Sequence, residues 1–98
     1  MPSHFRDVDP RELRLPGSRQ CADPIKLQRQ IARFGASSTG MPPLVVYEGT
    51  DGVLVVYNGV TRATRIAKLA PGTLVRVEVI GRLRRAFGPD PKIGDLLP

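Results

Sequence analysis

The sequence predicts a compact α+β domain with a small mixed β-sheet, two main helices and a central β-hairpin. Three observations predict it. Two Val- and Tyr-rich runs flank a turn at Gly49–Gly52, and two helical patterns end in glycine or proline. A Val-x-Val alternation after the second helical pattern indicates a further strand. The chain has 98 residues, 41% of them hydrophobic, so it is long enough for one small globular domain.

The N-terminal region, residues 4–22, is expected to form short extended pieces interrupted by Pro10 and Pro16. A turn or a single helical turn is expected at residues 9–12. Val8, Leu13 and Leu15 are expected to reach the core.

The first helix is predicted over residues 23–34, with Asp23 as its N-cap and Pro24 in its first turn. Gly35 is placed to end it in a left-handed cap. The spacing of the apolar residues predicts a buried stripe of Leu27, Ile31 and Phe34, helped by Ile25. The opposite side carries Lys26, Arg29 and Arg33. A solvated face is the favoured interpretation of these cations, and a contact with nucleic acid is the alternative.

Two strands follow, at Leu44–Glu48 and Val53–Tyr57, joined by the turn. The continuous run of Leu54, Val55 and Val56 indicates a strand covered on both faces.

The second helix is predicted over residues 60–70 and stops at Pro71-Gly72. Its apolar face is expected to consist of Val60, Ala63, Ala67 and Ala70, widened by Ile66 and Leu69. A last strand is predicted over Leu74–Ile80, with Val75, Val77 and Val79 facing the core. The Arg-rich residues 82–85 and the Pro/Gly-rich tail after them are expected to be either docked or frayed.

The net charge of +6 favours an anionic partner, because twelve of the fifteen cationic side chains are arginines, which suit bidentate contacts with phosphate. Solubility alone is the alternative explanation of this charge. No apolar run is long enough for a membrane span and the first residues do not resemble a signal peptide, so we expect a cytoplasmic protein with no membrane partner. One cysteine, Cys21, and one histidine, His4, cannot build a structural zinc site, and no metal site is expected.

The strand-to-helix turn at residues 58–65 is the segment in which the sequence indicates a binding site. The first N–H groups of a helix lack intrahelical partners and lie at the positive end of the helix dipole, so they favour an anion. Gly59 would let a ligand approach the backbone, Asn58 could cap the helix, and Thr61 could offer its hydroxyl. Arg62 and Arg65, three residues apart, would lie side by side as a pair of phosphate-binding groups. A capped helix with two solvated arginines explains the same spacing equally well.

Five segments resemble, in order, the N-terminal domain of the ParB/sulfiredoxin superfamily. They are Val8-Asp9-Pro10, the helix from Asp23 to Gly35, Pro43-Leu44-Val45-Val46, Gly59-Val60-Thr61-Arg62, and Val75-Arg76-Val77-Glu78-Val79. The likeness covers about residues 5–81. It implies a ParB-like domain over residues 1–81, followed by a basic Pro/Gly-rich tail over residues 82–98.

The resemblance implies an anion pocket at Gly59 and Arg62. In ParB-type partition proteins the matching segment reads Gly-Glu-Arg-Arg and holds a nucleotide triphosphate, and in sulfiredoxin it reads Gly-Cys-His-Arg and carries the catalytic cysteine. Val60 stands at the cysteine position here, so sulfiredoxin activity is not expected. Some stand-alone relatives are described as nucleases or as toxin domains, and such an activity would need a divalent metal.

In this architecture the loop before Pro43 can approach the pocket, so Ser38 and Thr39 are further candidates for binding phosphate, with an ordinary connection as the alternative. The sequence identifies no catalytic residue. Three functions stay open: a phosphate-binding domain for nucleotide or nucleic acid, a nuclease or nucleotide hydrolase, and a protein-interaction module. A homodimer and membership of a larger protein also stay open.

Overall fold

The computed structural model describes residues 4–15 and 22–97, and it has the predicted α+β architecture. Pro16 and Cys21 lie outside these residues. The elements are β1 (His4–Val8), α1 (Pro24–Phe34), β2 (Leu44–Glu48), β3 (Leu54–Asn58), α2 (Val60–Leu69) and β4 (Val75–Arg82), with short 3-10 turns at Pro10–Glu12 and Ile93–Leu96. The predicted order of strand, helix, hairpin, helix and strand is confirmed. Within the described residues, neither helix has the length and apolar character needed to cross a membrane.

The four strands form one mixed sheet in the order β1-β4-β2-β3. β4 pairs antiparallel with β1 and parallel with β2, and β2 pairs antiparallel with β3 across the hairpin. Because β2 lies between β3 and β4 in the sheet, the chain must pass over β2 after the hairpin to reach the position of β4. α2 makes this crossover, and it begins directly where β3 ends.

The core lies between the sheet and α2. The alternation along β4 is confirmed, since Val75, Val77 and Val79 are all buried. They belong to the same hydrophobic cluster as Ile66 and Ala63 of α2. Each large aliphatic side chain buried in this way contributes about 1.5–3 kcal/mol relative to exposure. The small side chain of Ala63 lets the helix lie close to the strands.

Residues 13–15 extend this core beside β3. Leu13 and Leu15 are buried, as the sequence predicts, whereas Val8 is only partly buried. The N–H of Arg14 donates to the carbonyl of Leu54, and its carbonyl accepts from the N–H of Val56. These hydrogen bonds, together with the full burial of Leu54, Val55 and Val56, explain why this run of β3 has no polar residue.

The segment after β4 packs against the rest of the molecule. Phe87 and Ile93 are buried, and Asp51 accepts hydrogen bonds from the backbone N–H groups of Phe87 and Gly88. Arg14 donates to the carbonyls of Gly88 and Asp90.

The predicted buried stripe of α1 is wrong in large part. Only Leu27 is buried, Ile31 is half-buried, and Phe34 and Ile25 are 47% and 64% exposed. The reason is that α1 packs mainly on α2 rather than on the sheet, so its covered stripe is narrow. In α2, similarly, Leu69 is partly exposed and the helix ends one residue before Ala70.

The two ends of α1 agree better with the predictions made from the sequence. Asp23 accepts hydrogen bonds from the N–H groups of Ile25 and Lys26, which confirms the N-cap. Gly35 ends the helix with φ of 57°, although its ψ of −132° lies outside the left-handed helical region that was predicted.

A buried carboxylate links three strands of the sheet. Glu48, at the end of β2, accepts hydrogen bonds from Arg82 of β4 and Arg6 of β1, both at 3.1 Å. These two guanidinium groups hold the pKa of Glu48 below its usual value. Because the folded state favours the charged carboxylate, the stabilisation is complete above the ordinary pKa of 4.5 and is lost as the pH falls through the lower folded value.

We expect Glu48→Gln to lower the free energy of unfolding at pH 7 by about 1 kcal/mol, a small value because both arginines remain partly in water. The difference between Glu48→Gln and the wild type should shrink as the pH falls progressively below 4.5. Urea unfolding at a series of pH values measures both effects. As a control, Glu12→Gln removes an exposed ion pair with Lys92 and should cost less than about 0.5 kcal/mol. A difference for Glu48→Gln that persists unchanged in acid would contradict this account.

Candidate functional site

The turn between β3 and α2 is built on the bare backbone of Gly59. This residue is the N-cap of α2 and has φ of 108° and ψ of 22°, which side chains other than glycine rarely adopt. A Cβ atom at this position would lie 2.6 Å from Cδ2 of Leu44 and 2.9 Å from Nη2 of Arg62. The space that a side chain would need is therefore occupied by the core and by the arginine.

Asn58 does not cap α2, which corrects the prediction from the sequence. Asn58 is the last residue of β3, where it pairs with Val45, and the N-cap is Gly59 with no side-chain hydrogen bond. The first N–H of the helix to find an intrahelical acceptor is that of Ala63, which donates to the carbonyl of Gly59. The N–H groups of Val60, Thr61 and Arg62 thus stand at the helix terminus without such an acceptor.

A hollow of about 230 Å³ opens at this terminus, and we call it the polar hollow. α1 contributes Lys26 and Gln30 to its wall, and no carboxylate is among its lining side chains. The remaining lining residues are Asn58, Gly59, Val60, Thr61 and Arg62. The positive end of the α2 dipole and two cationic side chains therefore face the same space. Both the helix dipole and the two cations favour a negatively charged group in the polar hollow.

Arg62 is fixed at the edge of the polar hollow by the loop before β2. Its Nη1 donates to the carbonyl of Pro42 at 3.0 Å and to that of Pro43 at 3.4 Å. Nη2 lies 2.9 Å from the position that a Cβ atom on Gly59 would occupy. Burial lowers the pKa of Arg62, but a guanidinium remains charged at neutral pH. Two neutral carbonyls hold it without cancelling its charge, so it retains its attraction for an anion.

Arg65 has a different environment from Arg62 and does not line the polar hollow. Only 2% of it is exposed, and its Nη1 donates to the carbonyls of Gly35 and Ser37 at 2.8 and 2.7 Å. Its guanidinium carbon lies 5.3 Å from the centre of the Phe34 ring. Burial lowers the pKa of Arg65 as well. Its donors bind the loop after α1, so its visible role is to hold that loop on α2.

A second hollow, of about 210 Å³, adjoins the first, and we call it the apolar hollow. Gln30 and Arg62 line both. The other lining residues are Phe34, Ser37, Thr39, Gly40, Met41, Pro42 and Arg65. Thr39 therefore lies near the predicted site, although its backbone N–H already donates to the hydroxyl of Ser37. Ser38 lines neither hollow, and its carbonyl accepts from the N–H of Met41.

Carboxylates and histidine lie away from both hollows. Glu48 is engaged by two arginines, Asp51 by backbone N–H groups, and Asp9 by Arg11. His4 is exposed on β1, at the edge of the sheet. In residues 4–15 and 22–97 no three His, Cys, Asp or Glu side chains gather in a way that could hold a metal ion.

Lys26 and Gln30 are lining residues that the sequence did not identify as part of the site. Lys26 was recognised only as a member of a basic helix face, and nothing in the sequence singles out Gln30. Their contribution depends on how α1 crosses α2, which local patterns do not determine. The sequence signal that was available is their i, i+4 spacing, which places both on one side of α1.

No model of a known protein family matches the chain, and no curated protein matches it.

We expect Gly59→Ala to destabilise the fold more than Gly52→Ala, its matched control. Both glycines have positive φ, so each substitution carries a backbone cost of about 1–2 kcal/mol. No atom lies within 4 Å of a Cβ built on Gly52, whereas at Gly59 the new methyl group meets Leu44 and Arg62. The collision should add at least about 1 kcal/mol, measured by urea unfolding. Equal costs for the two variants would show that Gly59 is not a packing constraint.

Proposed function

We propose that the protein binds phosphate groups of a nucleotide or nucleic acid in the polar hollow. The observation that carries the proposal is the juxtaposition of three backbone N–H groups without intrahelical acceptors, at residues 60–62, with the cations of Lys26 and Arg62. Backbone donors, a helix dipole and a guanidinium are the groups that commonly bind phosphate in proteins.

The geometry of Arg62 supports this function. The carbonyls of Pro42 and Pro43 fix its Nη1, so less side-chain freedom is lost when an anion arrives than for a free surface arginine. Both hydrogen bonds that hold Arg62 come from Nη1, so its Nη2, on the side of Gly59, can donate to an oxygen of the ligand.

The proposed function is the binding of a phosphate group and not the hydrolysis of its ester bonds. No carboxylate or imidazole lines the polar hollow, so the lining side chains include no group suited to act as a general base on water at neutral pH. A nuclease or nucleotide hydrolase would need such a group from elsewhere in the chain.

Membership of the ParB/sulfiredoxin superfamily and a cytoplasmic location are part of the proposal. The first rests on the five sequence motifs, in particular Gly59-Val60-Thr61-Arg62 at the start of α2. Val60 and Thr61 stand where partition proteins have glutamate and arginine, so the nucleotide switch of those proteins is no part of the proposal.

Titration of a fluorescent ATP analogue at low salt tests the proposed function. Lys26→Gln and Arg62→Gln should each weaken its binding by about tenfold, because each removes one charged contact with phosphate. Arg76→Gln, on the opposite face of the sheet, removes the same charge and should leave the affinity unchanged. Thermal unfolding confirms that the variants fold.

Two results would contradict the proposed function. One is that neither the ATP analogue nor a labelled oligonucleotide binds at low salt. The other is that both bind with an affinity that does not depend on Lys26 and Arg62.

A further inference from the structure

The charges of this protein are divided between its two layers. α1, α2 and the loop between α1 and β2 contain no aspartate or glutamate, and the two helices carry six cations: Lys26, Arg29, Arg33, Arg62, Arg65 and Lys68. Eight of the nine acidic residues lie in β1, in the 3-10 turns, in β2 and β4 and in the segments next to them. The ninth, Asp23, caps α1 with its carboxylate. Arg65 is buried, and the other five cations are exposed or partly exposed, so the surface of the helical layer carries an excess of positive charge.

One row of this surface leads away from the polar hollow. Lys26, Arg29 and Arg33 occupy positions i, i+3 and i+7 of α1 and are exposed, and none of them forms an ion pair within the described chain. At one end of the row, Lys26 lines the polar hollow. At the other end of the row, Arg33 stacks on Phe34, with its guanidinium carbon 5.3 Å from the ring centre. From Lys26 to Arg33 the row covers about 10 Å of helix, which is more than one phosphate group can span.

The apolar hollow adds a second kind of contact beside the first. Phe34, Met41 and Pro42 give it an apolar lining, and Gln30 forms a wall shared with the polar hollow. The Oε1 of Gln30 is buried and has no hydrogen-bond partner in the described residues, so it is the side chain's remaining atoms that face the two hollows. A flat, largely apolar group joined to a phosphate matches the two adjoining hollows. An unpaired nucleobase has this chemistry.

We propose that the helical layer binds a single nucleic-acid strand, with one phosphate in the polar hollow, the adjoining base in the apolar hollow, and neighbouring phosphates along Lys26, Arg29 and Arg33. This inference rests on the proposed function and narrows its ligand from phosphates in general to a strand. A free nucleotide bound in the polar hollow would not contact Arg29 and Arg33. A duplex would keep its bases paired and out of the apolar hollow.

The first test compares Arg29→Gln/Arg33→Gln with a control, Arg76→Gln/Arg84→Gln, that loses the same two charges elsewhere. Fluorescence anisotropy measures the binding of a labelled oligothymidylate of about 12 nucleotides, a length within the usual range of single-strand sites. The first variant should bind at least about tenfold more weakly at low salt, and its plot of log affinity against log salt should be shallower by about 1.4. The control should bind the oligonucleotide like the wild type. Binding of the ATP analogue should be unchanged in both variants.

The second test probes the base. An abasic oligonucleotide of the same length keeps every phosphate, and it should bind at least about fivefold more weakly than oligothymidylate because one base contact is lost. A paired duplex of that length should also bind more weakly than the single strand.

The outcomes separate this inference from the proposed function. If Arg62→Gln weakens the binding of both ligands but Arg29→Gln/Arg33→Gln weakens the binding of neither, the polar hollow binds phosphate, and the inference that the helical layer binds a nucleic-acid strand is wrong. If the test and control variants weaken oligonucleotide binding equally, the attraction is a general effect of charge and the inference fails. If the abasic strand or the duplex binds as well as oligothymidylate, no base enters the apolar hollow and the inference also fails. If neither the ATP analogue nor the oligonucleotide binds, the proposed function itself is wrong.

Discussion

The close packing of Leu44 and Arg62 against the backbone of Gly59 is the constraint on which the rest of the site depends. Because Gly59 has no Cβ, β2 can approach the turn, β3 can pass directly into α2, and the guanidinium of Arg62 can lie beside the helix terminus. Because the N-cap is a glycine, no side chain caps the helix either. One glycine thus both positions the cation and leaves three backbone N–H groups available for a ligand.

Two arginines on consecutive turns of α2 tie the loop between α1 and β2 to the helix. Arg65 binds the carbonyls of Gly35 and Ser37 at the beginning of the loop, and Arg62 binds those of Pro42 and Pro43 at its end. The loop has no acidic residue, so neutral carbonyls compensate for the desolvation of both cations without an ion pair. The positive charge of the helical layer is retained for this reason, and Arg62, held by the loop, is part of the wall that the two hollows share.

Much of the fold could be predicted from the sequence because its signals are local. The Val-x-Val alternation of β4, the Gly49–Gly52 hairpin and the Asp23 cap each specify their own geometry. The exposure of Ile25 and Phe34 could not be predicted in this way, since it depends on which element α1 packs against. The same is true of the site: Gly59 and Arg62 follow from the strand-to-helix pattern, whereas the burial of Arg65 and the contribution of Gln30 arise from contacts between distant segments.

The central claim is that the start of α2 binds a phosphate group through its backbone. The most direct measurement is a titration of the ¹⁵N-labelled protein with inorganic pyrophosphate, followed by the amide resonances in two-dimensional NMR. The account predicts saturable downfield shifts of the Val60, Thr61 and Arg62 amide protons, because each would donate to, or lie beside, a phosphate oxygen. Shifts confined to the arginine-rich segment at residues 82–85, with residues 60–62 unmoved, would contradict it.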